Sequence, residues 1–242
     1  GPVYTVTSKG YNVDANGNRR VERETTVSFT KCWAKTPSDV VIAVDLSGSI
    51  GAIEEATDRI RGALTTLVNK LDVGNDAVHV DIITFSNVAT DLIPGFTGDR
   101  DTLINKINTI TPINTATNMA GAIDMAVDRF TNGDRPDVDA PDILLLVTDG
   151  VPTEEQGIEY VYPYTKTYIE DIMMPSVSSK ITNAKNNGVE VFALGLMDEQ
   201  RENGNSIDSN GNYVPPIHSS GGEIGREDFL KKYANTMPTR VP

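Results

Sequence analysis

Val40-Val41-Ile42-Ala43-Val44-Asp45-Leu46-Ser47-Gly48-Ser49-Ile50 is the stretch whose reading decides the fold. Its five leading apolar residues, mostly β-branched, describe a strand buried on both faces, as in the interior of a parallel sheet. The strand runs directly into Asp45, Ser47 and Ser49, with Gly51 next and a helical pattern after it. A carboxylate and two hydroxyls on alternate residues offer hard oxygen donors, which suit Mg²⁺, Ca²⁺ or Mn²⁺ better than Zn²⁺ or Cu²⁺. The same residues also suit a capped helix start, with Ser47 or Ser49 as N-cap. The tripeptide spacing alone leaves both open.

Working outward, hydrophobic spacing of 3.6 and runs of β-branched residues alternate along the chain. Apolar residues recur at helical spacing from Ile53 to Leu71. Val78–Phe85 and Val88–Ile93 read as strands joined by a hairpin turn. Asp101–Ile110 and Met119–Phe130 read as helices. Asp142–Thr148 is a second doubly buried strand, ending on Asp149-Gly150. Pro175–Asn187 reads as a helix stopped by Gly188, Val189–Leu194 as a strand and Arg226–Ala234 as a last helix. Strands alternating with helices predict an α/β fold, a doubly wound and mostly parallel sheet with helices on both faces. Before it, Tyr4–Thr7 and Thr25–Thr30 alternate apolar and polar residues around the turn-forming Asp14–Asn18, which predicts an N-terminal β-hairpin extension over residues 1–37. Residues 38–242 then form the main domain. Asp208–Asn212 repeats the turn composition. Both segments resemble calcium loops superficially, but the glycine comes too early and no Glu closes them.

Composition narrows the function. The chain has 242 residues with 38% hydrophobic and 23% charged, ample for a packed core. A net charge of −13 disfavours nucleic acid and anionic membrane surfaces and favours a cation. No apolar run is long enough to span a bilayer, and no signal peptide is recognisable. Gly1-Pro2 has the look of a protease-cleavage scar, so a fragment of a longer protein is expected. Cys32, the one cysteine, is expected to pack as a small hydrophobe beside Trp33. There is no G-x-x-x-x-G-K-[ST], G-x-G-x-x-G or G-x-S-x-G motif. The two histidines, His79 in a strand pattern and His218 in a loop, give a catalytic triad or a zinc site little to draw on. We therefore expect no enzyme.

In open α/β sheets the site lies at the carboxyl edge of the strands. Asp45-Leu46-Ser47-Gly48-Ser49 and Thr148-Asp149-Gly150 end there, and Thr115-Ala116-Thr117-Asn118 begins the Met119 helix. Together with Asp81–Ser86 and Leu92–Thr97, these segments resemble, in order, the von Willebrand factor type A (integrin I-like) domain with its metal-ion-dependent adhesion site, Asp-x-Ser-x-Ser, then Thr, then Asp. The resemblance spans about residues 39–236. It implies a divalent cation, Mg²⁺ first with Mn²⁺ or Ca²⁺ as alternatives. Ser47 and Ser49 would bind it directly, and Thr117 directly or through water. Asp45 and Asp149 would hold coordinated waters. One position would remain for an Asp or Glu carboxylate of a protein partner. Ala116 stands where the family often has Gly, and only residues 236–242 follow the last expected helix.

Two long loops, 151–174 and 197–225, leave strand ends and should flank that face. The first carries Tyr160, Tyr162, Tyr164 and Tyr168, four of eight tyrosines. These could contact a ligand, since Tyr buries area at low entropic cost, or pack on the domain itself. Such insertions resemble those of Gram-positive pilus-tip and surface adhesins. That resemblance implies an extracellular, cell-surface and monomeric adhesion module of cell wall or pilus, without membrane insertion or nucleic-acid binding. The same resemblance implies Lys–Asn isopeptide crosslinks, for which Lys31 lies in a suitable strand while spacing identifies no partner. The competing reading is an intracellular assembly domain of a chelatase or AAA-ATPase-type complex, which the decorated loops and hairpin disfavour.

Overall fold

The computed structural model describes residues 3–13, 19–30, 37–48, 56–111, 113, 115–133, 135, 140–148, 152–154, 168–195, 206–207 and 213–214. At the N-terminus, β1 (Val3–Val13) and β2 (Arg19–Thr30) pair antiparallel, Tyr4 opposite Phe29 and Thr7 opposite Thr26, with a register shift between Gly10 and Tyr11. The hairpin is longer than the alternation alone predicts. Its turn, and Lys31, Cys32 and Trp33, lie outside the described residues.

The main sheet is built from β3 (Ser38–Asp45), β4 (Val78–Phe85), β5 (Ala89–Asp91), β6 (Asp142–Thr148) and β7 (Glu190–Gly195). Their spatial order is β5-β4-β3-β6-β7. All neighbours run parallel except the edge strand β5, which folds back on β4 as a hairpin. β3 is thus central, hydrogen-bonded on both edges and covered on both faces, and all eight of its residues are buried. That is why its sequence shows no alternation.

Helices α1 (Ala56–Lys70), α2 (Arg100–Ile107), α3 (Met119–Gly133) and α4 (Met174–Asn186) cover the two faces. Val40, Ile42, Val44, Ile82, Ile143 and Val147 pack against Ile60, Leu64 and Val68 of α1 and Leu103 and Ile107 of α2. The alternate strand residues Val41, Ala43, Ile83, Phe85, Leu144 and Leu146 pack against Ile123, Ala126 and Phe130 of α3 and Val177 and Ile181 of α4. The period of two along each strand therefore serves two cores at once, as a doubly wound sheet requires.

Several boundaries differ from the periodicity, each for a local reason. α2 starts one residue early because Asp99 caps it, its carboxylate accepting from the N–H groups of Asp101 (3.0 Å) and Thr102 (3.2 Å). It stops at Ile107 because the next amides fold into turns, the N–H of Ile110 donating to the Ile107 carbonyl. A π-helical turn, Tyr168–Met173, leads into α4, so the 151–174 loop ends in helical structure. α4 ends as expected at Gly188, whose φ of 87° only glycine adopts without strain. The antiparallel pair β8 (Ser206–Ile207) and β9 (Tyr213–Val214) brackets the second turn-like segment, consistent with a hairpin there. The Arg226–Ala234 helix lies outside the described residues.

Candidate metal centre

β3 and β6 are neighbours, yet the chain leaves β3 towards α1 on one face and leaves β6 towards α4 on the other. The crevice between their carboxyl ends is the topological switch point, where ligands of open α/β sheets bind. Asp45 is the last residue of β3 and Thr148 the last of β6. They meet there: the Thr148 hydroxyl donates to Oδ2 of Asp45 at 2.6 Å. The N–H of Ser47 donates to the other oxygen, Oδ1, at 2.9 Å. Each carboxylate oxygen thus accepts from a neutral donor, both donors are buried, and Asp45 itself is fully buried. The two bonds fix the orientation of the buried carboxylate at the crevice.

Four loops are stitched together around this point. After β3, the N–H of Leu46 donates to the Phe85 carbonyl (2.8 Å) and that of Gly48 to the Thr115 carbonyl (2.7 Å). The N–H of Ile113 returns to the Leu46 carbonyl at 3.0 Å. The loop after β4 joins through the Ser86 carbonyl, which accepts from the N–H of Asn118 (2.6 Å), and the Asn87 carbonyl, which accepts from the Asn118 amide (3.0 Å). Asn118 also starts α3, its Oδ1 accepting from the N–H of Gly121 at 2.8 Å. A Cβ at position 121 would fall 2.9 Å from that oxygen, so a larger residue there would have to displace the Asn118 side chain. From the loop after β6, Thr153 holds Thr117. The N–H of Thr117 donates to the Thr153 hydroxyl (2.9 Å), and the N–H of Thr153 to the Thr117 carbonyl (2.9 Å). The N–H of Glu154 reaches the same carbonyl at 3.2 Å, and burial pushes the Glu154 carboxyl above its ordinary value.

Of the five metal-site residues expected from the sequence, Asp45, Ser47 and Thr117 are described. Each is at most 5% exposed, and all three lie at the carboxyl edge of the sheet. Ser49 and Asp149 lie outside the described residues, as do Tyr160, Tyr162 and Tyr164; Tyr168 opens the π-helical turn, and its side chain is not described. Hydroxyl and carboxylate oxygens buried at a strand-end crevice form a donor set that fits a hard divalent cation. Among the described residues no group of three His, Cys, Asp or Glu side chains could hold a metal. A centre built mainly from hydroxyls would not form one. Thr148 and Asn118 stood in the segments the sequence placed at this edge but were given no role, and Thr153 and Asn87 were not singled out. Thr148 had a signal, since it directly precedes Asp149 at the end of an apolar strand. Thr153 had none, because its partner is 36 residues away.

His79 is half-buried at the opposite end of β4, its Nε2 3.1 Å from the Asn75 carbonyl oxygen. Burial, with the Arg135 charge nearby, lowers its pKa, which fits a structural histidine. His218 lies outside the described residues.

The von Willebrand factor type A domain family model matches residues 39–220. Mouse (Mus musculus) matrilin-1 is 24% identical over 165 residues, 66% of this chain and 28% of matrilin-1. The chain thus spans about a quarter of the length of such curated relatives. Among solved structures, the pilus adhesin SpaC of Lactobacillus rhamnosus GG superimposes with a TM-score of 0.51 at 20% identity, covering 66% of this chain and 24% of SpaC. Proximal thread matrix protein 1 from the mussel byssus, with a zinc-occupied MIDAS motif, superimposes with a TM-score of 0.50 at 17% identity, covering 66% and 36%. These structural likenesses speak for the fold. With the family match over most of its length, the parallel sheet and the carboxyl-edge crevice, this chain belongs to the von Willebrand factor type A domain family.

Proposed function

We propose that this chain is a cell-surface adhesion module that grips the carboxylate of a protein partner through a divalent cation. The observation that supports the reading is that Asp45 and Ser47, bonded to each other after β3, and Thr117, whose loop is tied to Gly48 through the Thr115 carbonyl, are all buried at the carboxyl edge of the sheet. Ser47, Ser49 and Thr117 would hold the cation, with Asp45 and Asp149 balancing its charge; Mg²⁺ is favoured over Mn²⁺ or Ca²⁺. When bound, the cation would act as a Lewis acid towards an incoming Asp or Glu. Few charges touch it directly, so it keeps the electrophilicity that contact needs. A chain of net charge −13 repels acidic partners at long range, which leaves the cation as the attraction for a carboxylate.

Apolar area beside the crevice supports a protein partner. Val88 is 55% exposed in the loop after β4, and Ile113 is 42% exposed where its N–H meets the Leu46 carbonyl. Tyr160, Tyr162, Tyr164 and Tyr168 would add to that surface. The role is binding rather than catalysis, by a monomeric domain over residues 38–242 with the hairpin of residues 1–37 as an extension, at a bacterial cell wall or pilus. No helix among the described residues is long and apolar enough to cross a membrane.

Capture of partners from panels of matrix and cell-surface proteins, with Mg²⁺ and with EDTA, tests the reading. Binding should need the cation, vanish in Ser47→Ala, and weaken without loss of metal affinity when two of the tyrosines are replaced. Undiminished binding in EDTA would place the partner contact elsewhere.

A further inference from the structure

Thr117 and Thr153 are joined in both directions. The N–H of Thr117 donates to the Thr153 hydroxyl oxygen, and the Thr117 carbonyl accepts from the N–H groups of Thr153 and Glu154. Both backbone polar groups of Thr117 therefore end on residues 153–154. Its described hydrogen bonds use the backbone alone, and its side-chain hydroxyl remains for a cation. The two residues are 5% and 8% exposed, so water does not readily replace either bond. The link joins the loop that opens α3 to the loop that follows Asp149 in sequence.

We infer that Thr153 is a positioning residue of the metal centre: its hydroxyl oxygen fixes the Thr117 backbone and ties the Thr117 loop to residues 153–154. The inference rests on the reading of the crevice as a cation site. Replacing Thr153 by Val keeps the shape but removes the acceptor, which leaves the Thr117 N–H buried and unpaired. The loop relieves that by shifting Thr117, so the cost appears in metal affinity. Thr153→Ser keeps the acceptor oxygen and loses a methyl group.

The test is isothermal titration of the folded chain with Mn²⁺ and Mg²⁺, for the parent, Thr153→Val, Thr153→Ser and Ser47→Ala, alongside melting in EDTA. Loss of a group that orients a metal ligand weakens affinity about 10- to 100-fold, and that is the loss expected for Thr153→Val. Thr153→Ser should stay within about threefold of the parent, because the acceptor survives. A merely structural threonine would lower the melting temperature in EDTA without changing the affinity of the folded protein. Parent-like affinity in Thr153→Val, with Ser47→Ala already lost, overturns the role of Thr153 alone. A parent that binds no better than Ser47→Ala overturns the cation site on which the inference stands. If Thr153→Val does not fold, hydrogen exchange of the Thr117 amide in the parent decides. Slow exchange supports the clasp, and exchange at the rate of an exposed amide overturns it.

Discussion

The two ends of the sheet treat their buried carboxylates in opposite ways. Near the amino ends of the strands, Asp39 is fully buried and pairs with Arg135, whose Nε lies 2.9 Å from Oδ1. Arg135 also donates to the Ser38 carbonyl at 3.3 Å. Asp81, fully buried on β4, has Nε of Arg129 3.2 Å from its Oδ2, and Arg129 also pairs with Asp91 on the edge strand. At the carboxyl end, Asp45 is equally buried, but its described partners are a backbone N–H and a hydroxyl, both neutral. Where an arginine is built in, it fastens α3 and the segment after it to the sheet. Where the described donors are a backbone N–H and a hydroxyl, they orient the carboxylate at the crevice. On the proposed function, the same residue type serves structure at one end and cation binding at the other.

Breaking the amino-end pairing should have the largest effect. Arg135→Met leaves Asp39 buried with its main cation gone, and loss of one member of a buried ion pair costs about 3–5 kcal/mol of stability. Urea denaturation measures it, with cation affinity of the folded protein unchanged; a loss below about 1 kcal/mol would mean that Arg135 merely decorates the surface.

At the carboxyl end the effects should be smaller and of a different kind. Thr148→Val removes the hydroxyl that donates to Asp45, at about 1–3 kcal/mol for a buried group left without its partner. Unlike Arg135→Met, it should also weaken Mg²⁺ binding by about tenfold or more. Titration of the variant that gave parent-like affinity would show that Asp45 needs no orientation from β6.

Asp81 sharpens the contrast through pH. Its carboxyl is pushed up to about 6, first by burial, with Arg129 opposing and Asp91 reinforcing the rise. A carboxyl whose folded pKa lies above its unfolded value keeps its proton longer in the folded state, so stability falls as pH rises from about 4 to about 6. Asp81→Asn should flatten that decline. Melting curves at pH 4, 5, 6 and 7 measure this, and a variant that still declines in parallel with the parent would assign the titration to another group.

The contrast also marks how far the sequence could be read. Val40–Val44 and Ile143–Val147 declare doubly buried strands because nothing polar interrupts them; Asp45 and Ser47 stand where the first ends, and Thr117 stands just before the Met119 helix. What periodicity hides is pairing at long range. Arg135 meets Asp39 across 96 residues, and Thr117 meets Thr153 across 36, with no local spacing to announce either. Asp81 sits inside an apolar strand pattern as an apparent exception, legible only once Arg129 on α3 is brought above it. The π-helical turn before α4 was likewise invisible, because its apolar residues, among them the buried Met173, fit a loop or a helix equally well.

The most direct test of the central claim is calorimetric titration of the purified chain with Mg²⁺ and Mn²⁺, set beside Ser47→Ala and Asp149→Ala. One divalent cation should bind per parent chain and none in Ser47→Ala. Asp149→Ala should bind it weakly while unfolding as cooperatively as the parent in EDTA. Equal binding by all three proteins would contradict that claim, because the cation would then be held somewhere other than the crevice between β3 and β6.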